Sequence, residues 1–189
     1  HPILYQRLLA ARAARGTRIV VVDPRRTATA AECDLHLQLK PGTDVLLFNG
    51  LLAHLARSGA VDQAYVAAHT TGFDAALSLA AADAPSIKRV AETCEIDAAD
   101  IVAFYDWFTA TERTVTVYSQ GVNQSAHGTD KVNAILNCHL ATGRIGRPGM
   151  GPFSVTGQPN AMGGREVGGL ANQLAAHMGF EDPSAPDSV

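Results

Sequence analysis

A continuous apolar run from Ile19 to Val22 predicts a strand buried on both faces, bounded by Arg18 and Asp23. Strands of this kind belong to parallel sheets whose faces are covered by helices. A helix is predicted directly before the strand, over 2–15, because apolar residues recur there at helical spacing and Gly16 follows as a C-cap. The run therefore favours an α/β architecture.

The rest of the chain continues this alternation of strands and helices. Apolar periodicity predicts strands over 35–39 and 113–119 and helices over 44–57 and 130–142, the last stopping at Gly143. Between them, 61–110 reads as a helical insert broken near Gly72, Pro85 and Thr93. We expect a mostly parallel sheet flanked by helices, a Rossmann-like layer domain, followed by a long Gly/Pro-rich C-terminal segment in which 167–178 forms a helix.

Length and composition limit the classes of function. A chain of 189 residues is the size of one domain, predicted over 1–180, with 181–189 as a flexible tail or linker. A net charge of -3 lacks the basic excess of a nucleic-acid-binding protein, and no apolar run approaches the roughly 18 residues that span a bilayer. Three cysteines without CxxC spacing predict neither a disulfide framework nor a zinc site, which favours a reducing, cytoplasmic setting.

The first polar segment, Asp23–Thr27 ("DPRRT"), follows the buried strand directly. In parallel sheets ligands bind beyond the carboxyl ends of the strands, where an aspartate can accept from ribose or a base and arginines can hold phosphate. The alternative is an ordinary strand-end turn in which Pro24 fixes the bend and the arginines are solvated. No GxGxxG follows the strand, which argues against an ordinary dinucleotide site.

Two further polar segments occupy similar positions in the chain. The second polar segment, Lys40–Asp44 ("KPGTD"), offers a tight turn and free amides at a helix N-terminus, where Thr43 or Asp44 can cap the helix. Taken alone, this segment is better explained by a capped helix without a ligand. The third polar segment, Ser119–Gln124 ("SQGVNQ"), carries amide side chains after a strand, and uncharged amides suit a heterocycle better than a phosphate.

A glycine-rich stretch over 156–169 has almost no apolar periodicity and contains Arg165 and Glu166, which we expect to be a buried pair. Ordering such a loop costs entropy, which a ligand or a partner domain can offset; a flexible surface loop is the alternative. The histidines fall at no metal-ligand spacing, so we predict no metal ligand in this chain.

Three stretches, "VVVDPRRTATAAECDLHLQLKPGTDVLLFNGLL", "YSQGVNQSAHGTDKVNAILNCHLATGRIGRPG" and "GPFSVTGQPNAMGGREVGGLANQLAAHM", resemble the molybdopterin oxidoreductases of the dimethyl sulfoxide reductase group. The last two look most like the catalytic subunit of bacterial assimilatory nitrate reductase. The resemblance implies an internal part of a longer enzyme that binds a bis(molybdopterin guanine dinucleotide) molybdenum cofactor. Cofactor contacts are implied at Asp23, Pro24, Arg25, Arg26, Thr27, Gly42, Thr43, Asp44, Gln120, Gly121 and Gln124.

The same resemblance implies nitrate as the substrate, reduced to nitrite by oxygen-atom transfer, with Arg165 orienting the anion. It also implies a [4Fe-4S] cluster and the protein ligand of molybdenum in sequence before His1, so the chain alone is expected to be inactive and to hold the cofactor poorly. The implied partners are the remaining domains of the enzyme and an electron-donor protein or domain. Two alternatives stay open: another molybdenum oxidoreductase such as a formate dehydrogenase, and a stand-alone nucleotide-binding module.

Overall fold

A computed structural model describes residues 1–155, 157, 160–169, 174–181 and 183, except for the side chains of Met162 and Arg165. The chain divides into two compact units, 1–154 and 155–189. The first unit contains α1 (Pro2–Arg15), β1 (Val20–Val22), α2 (Ala28–Ala31), β2 (Leu35–Leu37), α3 (Asp44–Arg57), α4 (Gln63–His69), α5 (Phe73–Asp83), α6 (Ile87–Cys94), α7 (Ala98–Ala110), β3 (Val115–Tyr118), α8 (Gln120–Asn123), α9 (Gly128–Ala141) and β4 (Gly151–Ser154). In the second unit, the described residues include α10 (Ala161–Glu166).

Local signals place most of the helices where the sequence predicts them. Helix α1 ends at Gly16, whose left-handed backbone (φ 68°) lets its N–H bond back to Arg12 O. The insert consists of α4 to α7, and the side chains of Asp62, Ser86 and Asp97 cap α4, α6 and α7. The break predicted near Thr93 is displaced, because α6 continues to Cys94 and ends at Glu95 (φ 57°).

The strands are parallel, as predicted, but in the described part of the chain they form two sheets rather than one. β1 pairs with β2, and β3 pairs with β4 in a register that sets Val117 opposite Phe153. β4 escapes prediction because it begins Gly-Pro, two residues that are poor strand formers. One face of the β3–β4 sheet leaves Val115, Val117 and Phe153 about half exposed (47%, 53% and 49%).

Helix α3 lies at the centre of the core of the first unit. Leu47, Leu51, Leu52 and Leu55 are almost completely buried, and α3 packs against α5, α6, α7 and α9. Each such leucine contributes roughly 1.5–3 kcal/mol by leaving water. The core is therefore mainly helical, and Leu37 of β2 belongs to it while Tyr118 of β3 packs against it.

The helix predicted over 167–178 is wrong for the residues of that range that the structure describes. Instead of a helix over 167–178, Val167 and Ala175 form an antiparallel bridge, and Ala176 and His177 have left-handed backbones (φ 55° and 61°). Residues 170–173 lie outside the described residues, as do Asp182 and 184–189 of the predicted tail. The domain bounds 1–180 and 181–189 stay a prediction. None of the helices in the described ranges has both the length and the apolar character needed to cross a bilayer.

Candidate functional site

The first polar segment lies at the carboxyl edge of the β1–β2 sheet and is fixed by β2. Asp23 N donates to Leu37 O at 3.2 Å, and His36 Nε2 lies 2.9 Å from Asp23 O. Gln38 Nε2 donates to Pro24 O at 3.0 Å. Backbone atoms of the turn are thus held by side chains of the neighbouring strand and the residue after it, so the turn has a defined position at the sheet edge.

Some side chains of this segment bond to the backbone of the turn, and others have no partner among the described residues. Asp23 Oδ1 accepts from Arg25 N at 2.7 Å, and Thr27 Oγ1 caps α2 by accepting from Ala30 N at 3.3 Å. Arg25 and Arg26, in contrast, are exposed, and their guanidinium groups have no ion pair or hydrogen bond with another described residue. The turn therefore presents two uncommitted cations, while its carboxylate and hydroxyl stabilise the backbone.

The second polar segment has a glycine turn that leads into α3. Gly42 has φ 90°, a conformation that other residues rarely adopt, so a glycine is required there. Thr43 occupies the N-cap of α3, but its hydroxyl donates to Lys40 O at 2.7 Å and does not cap the helix, contrary to the prediction. Beneath the turn, burial raises the pKa of the Cys94 thiol, whose Sγ lies 3.8 Å from Thr43 O.

The third polar segment is a short helix, α8, rather than the predicted turn. Gln124 is its C-cap, and its N–H bonds to Gln120 O at 2.8 Å. Gly121 is exposed in this helix, with open space where a Cβ would be. The side-chain amides of Gln120 and Gln124 have no hydrogen-bond partner among the described residues. Both amides therefore remain free to form hydrogen bonds.

Lys131 joins the second and third polar segments, and the sequence interpretation missed it. Its Nζ lies 2.8 Å from Asp44 Oδ2 and 3.5 Å from Gly121 O, and the residue is only 6% exposed. A signal existed in the sequence: Lys131 precedes Ile135 and Cys138 by four and seven residues, so it occupies the apolar stripe of α9. A lysine in such a stripe is rarely buried unless it is paired.

These contacts tie the three polar segments in series. The pairing of β1 with β2, together with Gln38, holds the first polar segment beside β2. The chain then continues from β2 into the second polar segment. Lys131 connects the second polar segment to the third. The backbone at Arg165 lies in α10, but its side chain is outside the described residues, as are Thr156, Gln158 and Pro159. Glu166 is exposed and pairs with His177 at 2.7 Å, so the expected burial of Glu166 is wrong.

No group of three or more His, Cys, Asp or Glu side chains is arranged to hold a metal ion in the described ranges. The three cysteines, Cys33, Cys94 and Cys138, are free thiols. The uncommitted groups of the site are two guanidiniums at one end and two amides at the other. This donor set suits a ligand with anionic phosphate at one end and neutral heterocycle edges at the other.

Comparisons with known proteins identify relatives of this chain. Residues 1–186 match the family described as "Molybdopterin oxidoreductase". A nitrate reductase of Shewanella frigidimarina is 52% identical over 97% of this chain and 20% of its own length, and one of Klebsiella oxytoca is 53% identical over 96% and 20%. The alpha subunit of an F420-dependent formate dehydrogenase of Methanocaldococcus jannaschii is 32% identical over 96% of this chain and 27% of its own.

Acetylene hydratase from Pelobacter acetylenicus has a similar fold, with a TM-score of 0.68 at 23% identity over 75% of this chain and 19% of that chain. The chain spans about a fifth of the length of the two nitrate reductases it matches. Because the family match extends over nearly all of its residues, the chain belongs to the molybdopterin oxidoreductase family.

Proposed function

We propose that this chain is the cofactor-binding domain of a molybdenum-dependent nitrate reductase, which reduces nitrate to nitrite by oxygen-atom transfer. The observation that carries the proposal is the series of three polar segments, with uncommitted arginines at one end and uncommitted amides at the other. The similarity to two nitrate reductases supports the choice of substrate. The whole enzyme is several times longer than this chain, and the chain alone is inactive.

The cofactor in this proposal is bis(molybdopterin guanine dinucleotide) molybdenum, and the donor set fits it. Arg25 and Arg26 would bind the anionic diphosphate, and Gln120 and Gln124 would bind a pterin edge, since amides can both donate and accept. The proposed contacts are Asp23, Pro24, Arg25, Arg26, Thr27, Gly42, Thr43, Asp44, Gln120, Gly121 and Gln124. When bound, the cofactor supplies the two-electron oxygen-atom-transfer chemistry.

Replacing Arg25 and Arg26 together by alanine is expected to lower the molybdenum content of the full-length enzyme by about tenfold or more. Two charge-assisted contacts to phosphate are lost, and each 1.4 kcal/mol of binding energy is worth tenfold in affinity. The measurement is molybdenum per protein by elemental mass spectrometry. Arg89→Ala, which removes an exposed arginine from α6, is the control and is expected to keep normal molybdenum. Equal molybdenum in both proteins contradicts the assignment.

Arg165 is proposed to attract and orient nitrate, because a guanidinium fork matches a planar oxyanion. Arg165→Ala in the full-length enzyme is expected to lower kcat/KM for nitrate by about tenfold or more, with molybdenum content near normal. Parallel measurement of turnover and molybdenum checks this. Loss of molybdenum together with turnover means that Arg165 has a structural role instead.

Further parts of the proposal concern the rest of the enzyme. In this proposal both parallel strand pairs belong to one Rossmann-like layer domain. A [4Fe-4S] cluster lies in another part of the polypeptide. An electron-donor protein or domain supplies the electrons. The exposed apolar face formed by Val115, Val117 and Phe153 suits burial against a remaining domain. The free thiols are consistent with a cytoplasmic location in a bacterium.

The proposed substrate is tested with the full-length protein and reduced viologen as electron donor. Nitrate-dependent oxidation of the viologen is the expected result, and absence of turnover with nitrate contradicts the proposal. A formate dehydrogenase is the second candidate, favoured by the formate dehydrogenase relative; viologen reduction by formate would identify it. A stand-alone nucleotide-binding module predicts instead that this chain alone binds guanine nucleotides saturably in calorimetric titration.

A further inference from the structure

Lys131 is a buried lysine whose charge faces the two polar segments beside it. It lies near the start of α9, its side chain is 8% exposed, and the side chain of its partner Asp44, the first residue of α3, is 16% exposed. Lys40, the lysine nearest to Asp44 in sequence, is already paired with Glu95 at 2.6 Å. Lys131 is therefore the cation that balances Asp44 among the described residues.

A buried ion pair of this kind is a weak source of net stability, because the desolvation of both charges offsets much of their attraction. The ion pair instead fixes the relative position of the elements that Lys131 contacts. Lys131 Nζ reaches Asp44 on one side and Gly121 O on the other, so one ammonium group spans the distance between the start of α3 and helix α8. The start of α9 also approaches α8 closely: a Cβ on Gly128 would lie 2.6 Å from Asn123 O, so only glycine fits there.

We infer that Lys131 is a positioning residue that holds the second and third polar segments at the separation at which both contact the same cofactor. The inference rests on the proposed function, since it assigns the two segments to one ligand. Lys131 itself is buried and does not need to touch the ligand. A purely structural explanation exists, in which Lys131 only neutralises Asp44, and the two explanations predict different behaviour of a double variant.

The experiment uses the full-length enzyme and measures molybdenum per protein together with thermal unfolding. Lys131→Met is expected to reduce molybdenum content about tenfold or more, the effect of losing about 1.4 kcal/mol of binding energy. It also leaves Asp44 unpaired, which destabilises the protein. Lys131→Arg, whose fork can reach both acceptors, is expected to retain molybdenum. Lys88→Met removes an exposed lysine of α6 and is the matched control.

The double variant Asp44→Asn with Lys131→Met separates the two explanations, with Asp44→Asn alone for comparison. It has no unpaired buried charge, so its unfolding temperature is expected to recover while its molybdenum content stays below that of Asp44→Asn. Molybdenum restored to the level of Asp44→Asn overturns the positioning role, as does wild-type molybdenum in Lys131→Met. A wild-type enzyme without molybdenum overturns the proposed function itself, and the inference with it.

Discussion

Gly50→Ala is expected to lower the free energy of unfolding of the chain by about 1–3 kcal/mol, the range for an overpacked core. Gly50 lies in α3, and a Cβ added to it would lie 2.3 Å from Tyr105 Oη and 2.9 Å from Val90 Cγ2. Tyr105 cannot easily retreat, because it is completely buried and its hydroxyl donates to Leu47 O at 2.6 Å. Alanine is the better helix former by about 1 kcal/mol, so a net loss means that the clash dominates.

Urea unfolding of wild type and variant measures the difference. Gly121→Ala is the matched control, since this glycine is exposed, lies in a helix and has no atom within 4 Å of the added Cβ. Its stability is expected to stay the same or to rise by up to about 1 kcal/mol, because alanine is the better helix former and meets no clash there. Adding Tyr105→Phe to Gly50→Ala removes the oxygen nearest to the Cβ and is expected to recover about 1 kcal/mol through coupling between the two sites. Wild-type stability in Gly50→Ala would show that this contact does not set the spacing of α3 and α7.

The elements that the sequence predicts well are those with local start and stop signals. The bounds of α1 and α3 agree with prediction because Gly16 ends one helix and apolar residues recur at helical spacing through the other. Elements that depend on distant contacts were missed or misassigned. β4 becomes a strand only because β3 lies beside it, and 167–178 loses its predicted helix to a bridge between Val167 and Ala175.

In the candidate site, too, features set by local sequence could be predicted and features set by distant contacts could not. Polar residues that follow strands can be recognised from sequence, because parallel strands present their carboxyl ends to ligands. Which of these side chains remain available cannot be recognised, because that depends on backbone geometry: Asp23 and Thr27 bond to amides of their own turn, and Thr43 bonds back to Lys40 O. The contact of Lys131 with Asp44 joins residues far apart in sequence and needed the packing of α3 on α9.

His139 is expected to make the stability of the chain fall as the pH is lowered from 7 to 5. Its ring is completely buried, Nε2 lies 2.8 Å from Thr116 Oγ1, and Nδ1 has no hydrogen-bond partner in the described part of the chain. Burial, together with the nearby guanidinium of Arg144, lowers the pKa of His139 from 6.5 to about 4. Arg144 is itself fixed there by two 2.7 Å hydrogen bonds from Nη2, to Phe108 O and Thr111 O.

The sign follows from which state binds the proton. Below pH 6.5 the unfolded chain protonates this histidine while the folded chain keeps it neutral, so protons favour unfolding until the pH reaches the folded pKa near 4. The contribution of His139 is complete above pH 6.5. About 2 kcal/mol of it is lost by pH 5 and about 3 kcal/mol by pH 4, at 1.36 kcal/mol for each pKa unit.

Urea unfolding at pH 7 and pH 5 tests this on wild type and His139→Gln, a variant that cannot titrate but can still bond to Thr116. Carboxylates contribute equally to both proteins, so the difference in their free energies of unfolding isolates the histidine. This difference is expected to shift by about 2 kcal/mol in favour of the variant between the two pH values. Parallel pH profiles for wild type and His139→Gln would mean that the folded protein accepts a proton at this buried position.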